Sequence, residues 1–306
     1  MRALKILGVL AAVLMGLLFA ARAYFEQKFS PQPNALEVTG DTIGTPFRWS
    51  GDETNFYAAL LVPVSFPGTK IPVYMQVDFG APSTIFYQHS IATLPGFGKA
   101  NKREKSVDTS FKVGEMTISS RTFAVMDYGN PTGQQPGTTN IVGTIGTDLL
   151  EKRAVIVDFR ANTLSFVERL PESSLTAFEF KKRKIIIPAK LNGKGTILLY
   201  DSGTSGYELI TTKEVWGAMR RPGTAVKTER GNSWGKTLDV FTAPANGGIK
   251  IGAVELPLHE VTYIEGMPEI QKFLMRRSGM KGMIGNKIFL GHRLLVDARS
   301  RQFGVE

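Results

Sequence analysis

Residues 185–203, IIIPAKLNGKGTILLYDSG, decide how this chain is read. Two short runs rich in Ile and Leu flank a turn marked by Asn192 and two glycines. The second run ends on Asp201-Ser202-Gly203. Apolar runs of this length, bounded by Gly, Pro and Asn, read as β-strands. The same plan stands earlier, in LLVPVSFPGTKIPVYMQVDFG (60–80), which ends on Asp78-Phe79-Gly80. Working outward, two further pairs appear in the same order. FKVGEMTISSRTFAVMDYG (111–129) matches IKIGAVELPLHEVTYIEG (249–266), with Gly114 facing Gly252 and Gly129 facing Gly266. IGTDLLEKRAVIVDFRANTLSFV (145–167) matches IGNKIFLGHRLLVDARSRQFGV (284–305); Gly146 to Asp158 and Gly285 to Asp297 both span 12 residues. Three matched blocks in series make the chain two copies of one β unit of roughly 110–120 residues. The copies are assigned to residues 56–170 and 171–306. Residues 24–55, polar and turn-rich, read as a linker or leading strand. Short helices are expected only in STIFYQHSIATL (83–94), IGTDLLEK (145–152) and TTKEVWGAM (211–219).

Composition narrows the chemistry. The chain has 306 residues, no cysteine and three histidines, His89, His259 and His292, none at metal-ligand spacing from another. A disulfide framework, a zinc–cysteine site and a thiol nucleophile are excluded, and a histidine-built metal site or triad is disfavoured. Thirty-seven basic and 27 acidic side chains give a net charge of +10. At the N-terminus, Arg2 and Lys5 precede an apolar run, Ile6–Ala21, followed by Ala21-Arg22-Ala23. This is the three-part layout of a secretory signal over residues 1–23, or of an uncleaved anchor through residues 6–21. The chain is therefore expected to be exported, to the periplasm or beyond, or held in a membrane. Loss of residues 1–23 removes three basic residues and no acid, so the charge becomes 10 − 3 = +7. The basic run Lys181-Lys182-Arg183-Lys184 sits at the junction between the copies and has no aromatic interleaving, so no nucleic-acid partner is expected.

The repeated Asp-x-Gly is the candidate site. Glycine lets backbone come close to whatever lies opposite. One carboxylate per copy is what a shared pair needs. Two carboxyls about 3 Å apart cannot both ionise, so one holds a proton while the other takes one from water. The kinase reading of Asp78-Phe79-Gly80 fails, because no glycine-rich phosphate loop, strand lysine or His-Arg-Asp accompanies it. Gly203-Thr204-Ser205-Gly206 does not have the spacing of a serine nucleophile elbow. Asp158 and Asp297 also repeat, before hairpin-like turns, and read as structural.

In these motifs the sequence resembles the pepsin/retropepsin-like aspartic proteases. LLYDSGTSGYELIT (198–211) resembles the family's apolar-apolar-Asp-Ser/Thr-Gly-Thr-Ser signature, and GMIGNKIF with LLVDARSRQFGV resembles its second half. TIGTDLL with AVIVDFRANTLSFV carries those elements in the first copy. The resemblance covers roughly residues 56–306. It implies a mainly β protein of two related β-barrel lobes with a cleft between them, an aspartic endopeptidase acting on peptide or protein substrates without cofactor or metal. Asp78 and Asp201 fall at the catalytic positions, and Gly80, Ser83, Ser202, Gly203 and Thr204 at supporting positions in the active-site loops. One departure stands out: Phe79 occupies the place of a Thr or Ser whose hydroxyl links the two loops, and phenylalanine has none to give. The alternative implied by Phe79 is a catalytically impaired, exported peptide- or protein-binding module. A lid over the cleft is expected in 96–110, with Lys99, Lys102, Arg103 and Lys105, or in the basic stretch 219–239. The loop 127–140 is expected at the cleft border. Trp216 and Trp234 fit core or cleft.

Overall fold

The strands that carry the aspartates set the architecture. In the computed structural model, Val73–Val77 runs parallel to Ile141–Ile145, and Ile85–Tyr87 lies antiparallel on the other side of that strand. Lys194–Tyr200 likewise runs parallel to Met280–Ile284, with Leu209–Thr211 antiparallel beyond it. Each aspartate thus follows one strand of a three-strand unit, and the chain returns through the strand two places away. The structure describes residues 30–95, 97, 105–133, 135, 137–233, 236–266 and 279–306. The expected leader or anchor, Lys99, Lys102 and Arg103 of the first lid candidate, and Trp234 lie outside them. No helix among the described residues is long and apolar enough to cross a membrane.

The chain is mainly β. An eight-stranded sheet is built from residues 37–145 and a ten-stranded sheet from residues 179–284. The matched blocks occupy matched places. Met116–Met126 lies beyond Ile85–Tyr87 in one sheet, and Glu260–Glu265 lies beyond Leu209–Thr211 in the other, both parallel. The hairpins at Gly114 and Gly252 turn on glycines with φ of +55° and +57°, and Gly129 and Gly266 have +89° and +87°. These left-handed values are what glycine supplies at little steric cost.

A six-stranded sheet takes Ala154–Asp158 and Thr163–Val167 from the first copy and Arg293–Asp297 and Gln302–Val305 from the second. Ala154–Asp158 pairs antiparallel with Arg293–Asp297 in the register Val155–Val296, Ile156–Leu295, Val157–Leu294. Counted from Gly146 and Gly285, Ile156 and Leu295 are equivalent positions. The pairs on either side of them exchange equivalents, so the repeat has a local two-fold axis through this central pair.

Among the described residues no sheet closes into a barrel, which corrects the expectation of barrel lobes. In the eight-stranded sheet the contact that would complete a ring is one bridge, Ser65 with Lys112, with reciprocal bonds of 3.0 and 2.9 Å; in the ten-stranded sheet Lys184–Leu191 does pair with Gly248–Ile251, but the path of paired strands then ends on Val254–Pro257. The expected helix at 83–94 is a strand, Ile85–Tyr87, followed by one turn, Gln88–Ile91. Residues 145–152 give a 3₁₀ turn, Leu149–Glu151, and 211–219 a true helix, Lys213–Met219, capped by Thr212. Within 24–55, residues 37–50 supply three strands, one to each of two neighbours in the eight-stranded sheet and one to the six-stranded sheet edge. Buried aromatics fill the interior. Phe66, Phe86, Phe111 and Phe123 cluster under the first sheet, and Tyr200, Phe289 and Phe303 under the second. Trp216 is buried against Tyr263 and belongs to the core.

Candidate active site

The two aspartates meet. Each begins a tight turn directly after its strand, and each backbone N–H is fixed by the parallel neighbour: Asp78 N donates to Ile145 O and Asp201 N to Ile284 O, both at 3.0 Å. Each carboxylate then folds back onto its own turn. Asp78 Oδ1 accepts from the N–H groups of Gly80 (2.8 Å) and Ala81 (3.1 Å), and Asp201 Oδ1 accepts from Gly203 N at 2.8 Å. The two carboxyls come together across the loops, each lying against the other loop's glycine.

The glycines make this approach possible. A Cβ on Gly80 would lie 2.2 Å from Asp201 Oδ1, and one on Gly203 would lie 2.4 Å from Asp78 Oδ1. Each glycine therefore cradles the opposite carboxylate, and any larger residue there overlaps it. Ser202 joins the loops. Its Oγ accepts from Phe79 N (2.8 Å) and donates to Val77 O (3.0 Å). Thr204 Oγ1 donates to the Asp201 carbonyl at 2.8 Å and reaches the cavity. Ser83 is on the first loop, but its hydroxyl accepts from the Arg183 guanidinium at 3.4 Å. Phe79 sends its ring into the core, fully buried, with the Tyr200 ring edge-on at 6.3 Å.

Burial raises both carboxyls above the ordinary aspartate range. Asp78 is pushed up to about 7, first by burial and then by the neighbouring Asp201 charge, against the pull of the Gly80 and Ala81 N–H groups. Asp201 is also raised by burial, while the Lys184 cation, the Gly203 N–H and the Asp78 side chain pull it down. Both shifts are upward, so the pair keeps a proton at a pH where an exposed aspartate has lost its own. Tyr87, whose hydroxyl bonds Thr144 Oγ1 at 2.6 Å, is raised by burial to about 12.

The pair opens into a cavity of about 980 Å³. Its walls are Gln76, Tyr87 and His89 on one side and residues 128–131 and 138–141 on another, so the loop 127–140 borders the site. His89 Nε2 pairs with Asp127 at 2.9 Å near this rim. Of the second lid stretch, Lys227–Ser233 and Lys236–Pro244 form a long hairpin, tied down by Tyr207 Oη donating to Glu229 at 3.0 Å. Asp158 and Asp297 cap their turns by accepting from Arg160 N and Arg299 N, both at 3.0 Å.

Sequence reasoning missed the support beneath the first loop. Arg183 is buried and bonds Glu151 through Nε and Nη2, both at 3.0 Å, and Pro82 O through Nη1 at 3.1 Å. Lys184 Nζ donates to Gly80 O at 2.7 Å. Asp148, buried, accepts from Thr84 N (2.7 Å) and Thr84 Oγ1 (2.8 Å), and burial raises it despite these bonds. Only the placement of a basic pair at the start of a strand leading toward Asp201 hints at this. Neither a protein-family model nor a curated protein matches the chain.

Proposed function

We propose that the chain is an exported or membrane-anchored aspartic endopeptidase of the pepsin/retropepsin type, its two copies forming related lobes at residues 56–170 and 171–306. One observation carries the reading: equivalent turns of an internal repeat bring two carboxyls together in the interior, each against the other's glycine. Such a pair holds one proton between two carboxyls and needs no metal or thiol. Asp201, ionised, takes a proton from water as its oxygen attacks the peptide carbonyl carbon. Asp78 gives its proton to the carbonyl oxygen. Collapse of the tetrahedral intermediate breaks the C–N bond, Asp201 returns its proton to the leaving nitrogen and Asp78 recovers its own. The cavity beside the pair is of the size that takes several residues of an extended chain. Peptide or protein is the substrate, and nucleic acid is not. Residues 1–23 or 6–21 direct the chain out of the cytoplasm, where surplus positive charge favours anionic lipid surfaces.

A second reading is favoured by Phe79: a peptide-binding module with impaired chemistry, since Ser202 supplies a hydroxyl to the link between loops and Phe79 has none to give. The test is a broad peptide library across pH 3–8 with wild type, Asp78→Asn and Asp201→Asn. Cleavage by wild type that either substitution abolishes supports the endopeptidase. Equal cleavage by both variants, or peptide binding by wild type without cleavage, contradicts it.

A further inference from the structure

The run Lys181-Lys182-Arg183-Lys184 divides in space. Lys181 and Lys182 are exposed, Arg183 is buried and Lys184 is partly so. Arg183 is pinned by Glu151 and by the Pro82 carbonyl, and its own carbonyl accepts from Thr147 Oγ1 at 3.0 Å. This clamp brings the next side chain toward the back of the first aspartate loop, where Lys184 Nζ donates to Gly80 O at 2.7 Å. Gly80 is the residue pressed against the Asp201 carboxylate. Adding covalent lengths to these contacts puts the ammonium within roughly 9 Å of Asp201 Oδ1. The other copy has no counterpart. With Pro63 aligned on Pro188, Lys184 corresponds to Ala59 and Arg183 to Ala58. The repeat is symmetric in its carboxylates and one-sided in this cation.

We infer that Lys184 is a positioning residue of the aspartate pair: its ammonium, seated behind Gly80, favours the state in which the two carboxyls together carry one negative charge, and sets the pH window in which the pair holds one proton. The inference rests on reading Asp78 and Asp201 as a proton-sharing pair. A fixed cation favours the ionised form of nearby carboxyls, and Gly80 touches both: its N–H donates to Asp78 Oδ1 and its Cα lies against Asp201. The other titratable groups around the pair do not supply that bias. The phenols of Tyr87 and Tyr200 are bonded to Thr144 and Asn286 and held neutral by burial. Arg183 is spent on Glu151 beneath the loop, near Asp148, and His89 pairs with Asp127 at the cavity rim.

The test follows the carboxyl carbons of ¹³C-labelled aspartate by NMR across pH in the full chain, with Asp78→Asn and Asp201→Asn assigning the signals. Lys184→Met removes the cation. Lys184→Gln keeps a donor for Gly80 O without charge, and Lys184→Arg keeps the charge. Thermal melts of each variant establish that it is folded. Both titration steps of the pair are expected to move up by about one pH unit in the Met and Gln variants and to stay near wild type in the Arg variant. Peptide-cleavage profiles are expected to shift both limbs the same way. Coupled steps that do not move in Lys184→Gln overturn the role of Lys184 and leave the pair intact. Two independent, uncoupled titrations in wild type overturn the pair itself and this inference with it.

Discussion

The two aspartate loops share a backbone and differ in how they are held. In both, the aspartate N–H bonds a parallel strand at 3.0 Å and the following glycine N–H bonds the carboxylate at 2.8 Å. The residue between them diverges. Ser202 crosses to the other loop through two hydrogen bonds, while Phe79 turns its ring into the aromatic core beside Tyr200. Below, the first loop rests on ionisable groups, Arg183, Glu151 and Asp148, whereas the second rests on neutral ones: Tyr200 Oη donates to Asn286 Oδ1 at 2.7 Å and Asn286 Nδ2 donates to Ser205 Oγ at 2.9 Å. The lesson is that backbone geometry and facing glycines bring the carboxyls together, and the side chains that tie the loops are exchangeable between polar and apolar solutions.

That comparison is open to attack at several points. The largest effect is expected at Phe79, because its ring is fully buried. Phe79→Ala should cost about 3–5 kcal/mol in urea unfolding. A cost below 1 kcal/mol would mean that the first loop is not anchored through the core.

The next effect concerns pH. Asp78 is raised from an ordinary 3.8 to about 7 in the folded chain. The folded state then binds the extra proton, so stability falls as pH rises between about 4 and 7, and the loss is complete above that window. Asp78→Asn is neutral throughout. It should be more stable than wild type at pH 8 by roughly 2–4 kcal/mol and match it at pH 3. Parallel stability curves for the two proteins would contradict the burial of an ionisable Asp78.

Gly80→Ala and Gly203→Ala should each cost about 1–3 kcal/mol, because the added methyl forces the opposite carboxylate aside. Similar costs at both sites would sharpen the equivalence of the loops, and a cost at only one would break it. Ser202→Ala should cost about 1–3 kcal/mol by leaving the buried Phe79 N–H without its partner, read by the same unfolding assay.

Much of this was legible in the sequence because repetition filters local accidents. One Asp-Ser-Gly is a common turn, but Asp78 and Asp201, each after an apolar strand and each followed by the same later blocks, mark matched places in a repeated fold. Gly114 and Gly252 were legible for the same reason, and the structure gives them nearly one φ. The strand at Ile85–Tyr87 was hidden in a stretch with helical composition, since its partners come from residues 124–126 and 143–144 and local propensity does not see them. Arg183 and Lys184 were hidden inside a run that reads as solvated charge. Their roles depend on Glu151, Pro82 and Gly80, more than 30 residues away in each case. Ser83, placed by resemblance among the supporting residues, faces Arg183 because the same clamp draws it there.

The most direct measurement is kcat/KM for peptide cleavage by wild type, Asp78→Asn, Asp201→Asn and the double variant. If the two carboxyls act as one proton-sharing unit, each single substitution lowers the rate about 10³-fold or more and the double variant is no worse than either. Near-wild-type turnover in either single variant, or losses that multiply in the double, would contradict it.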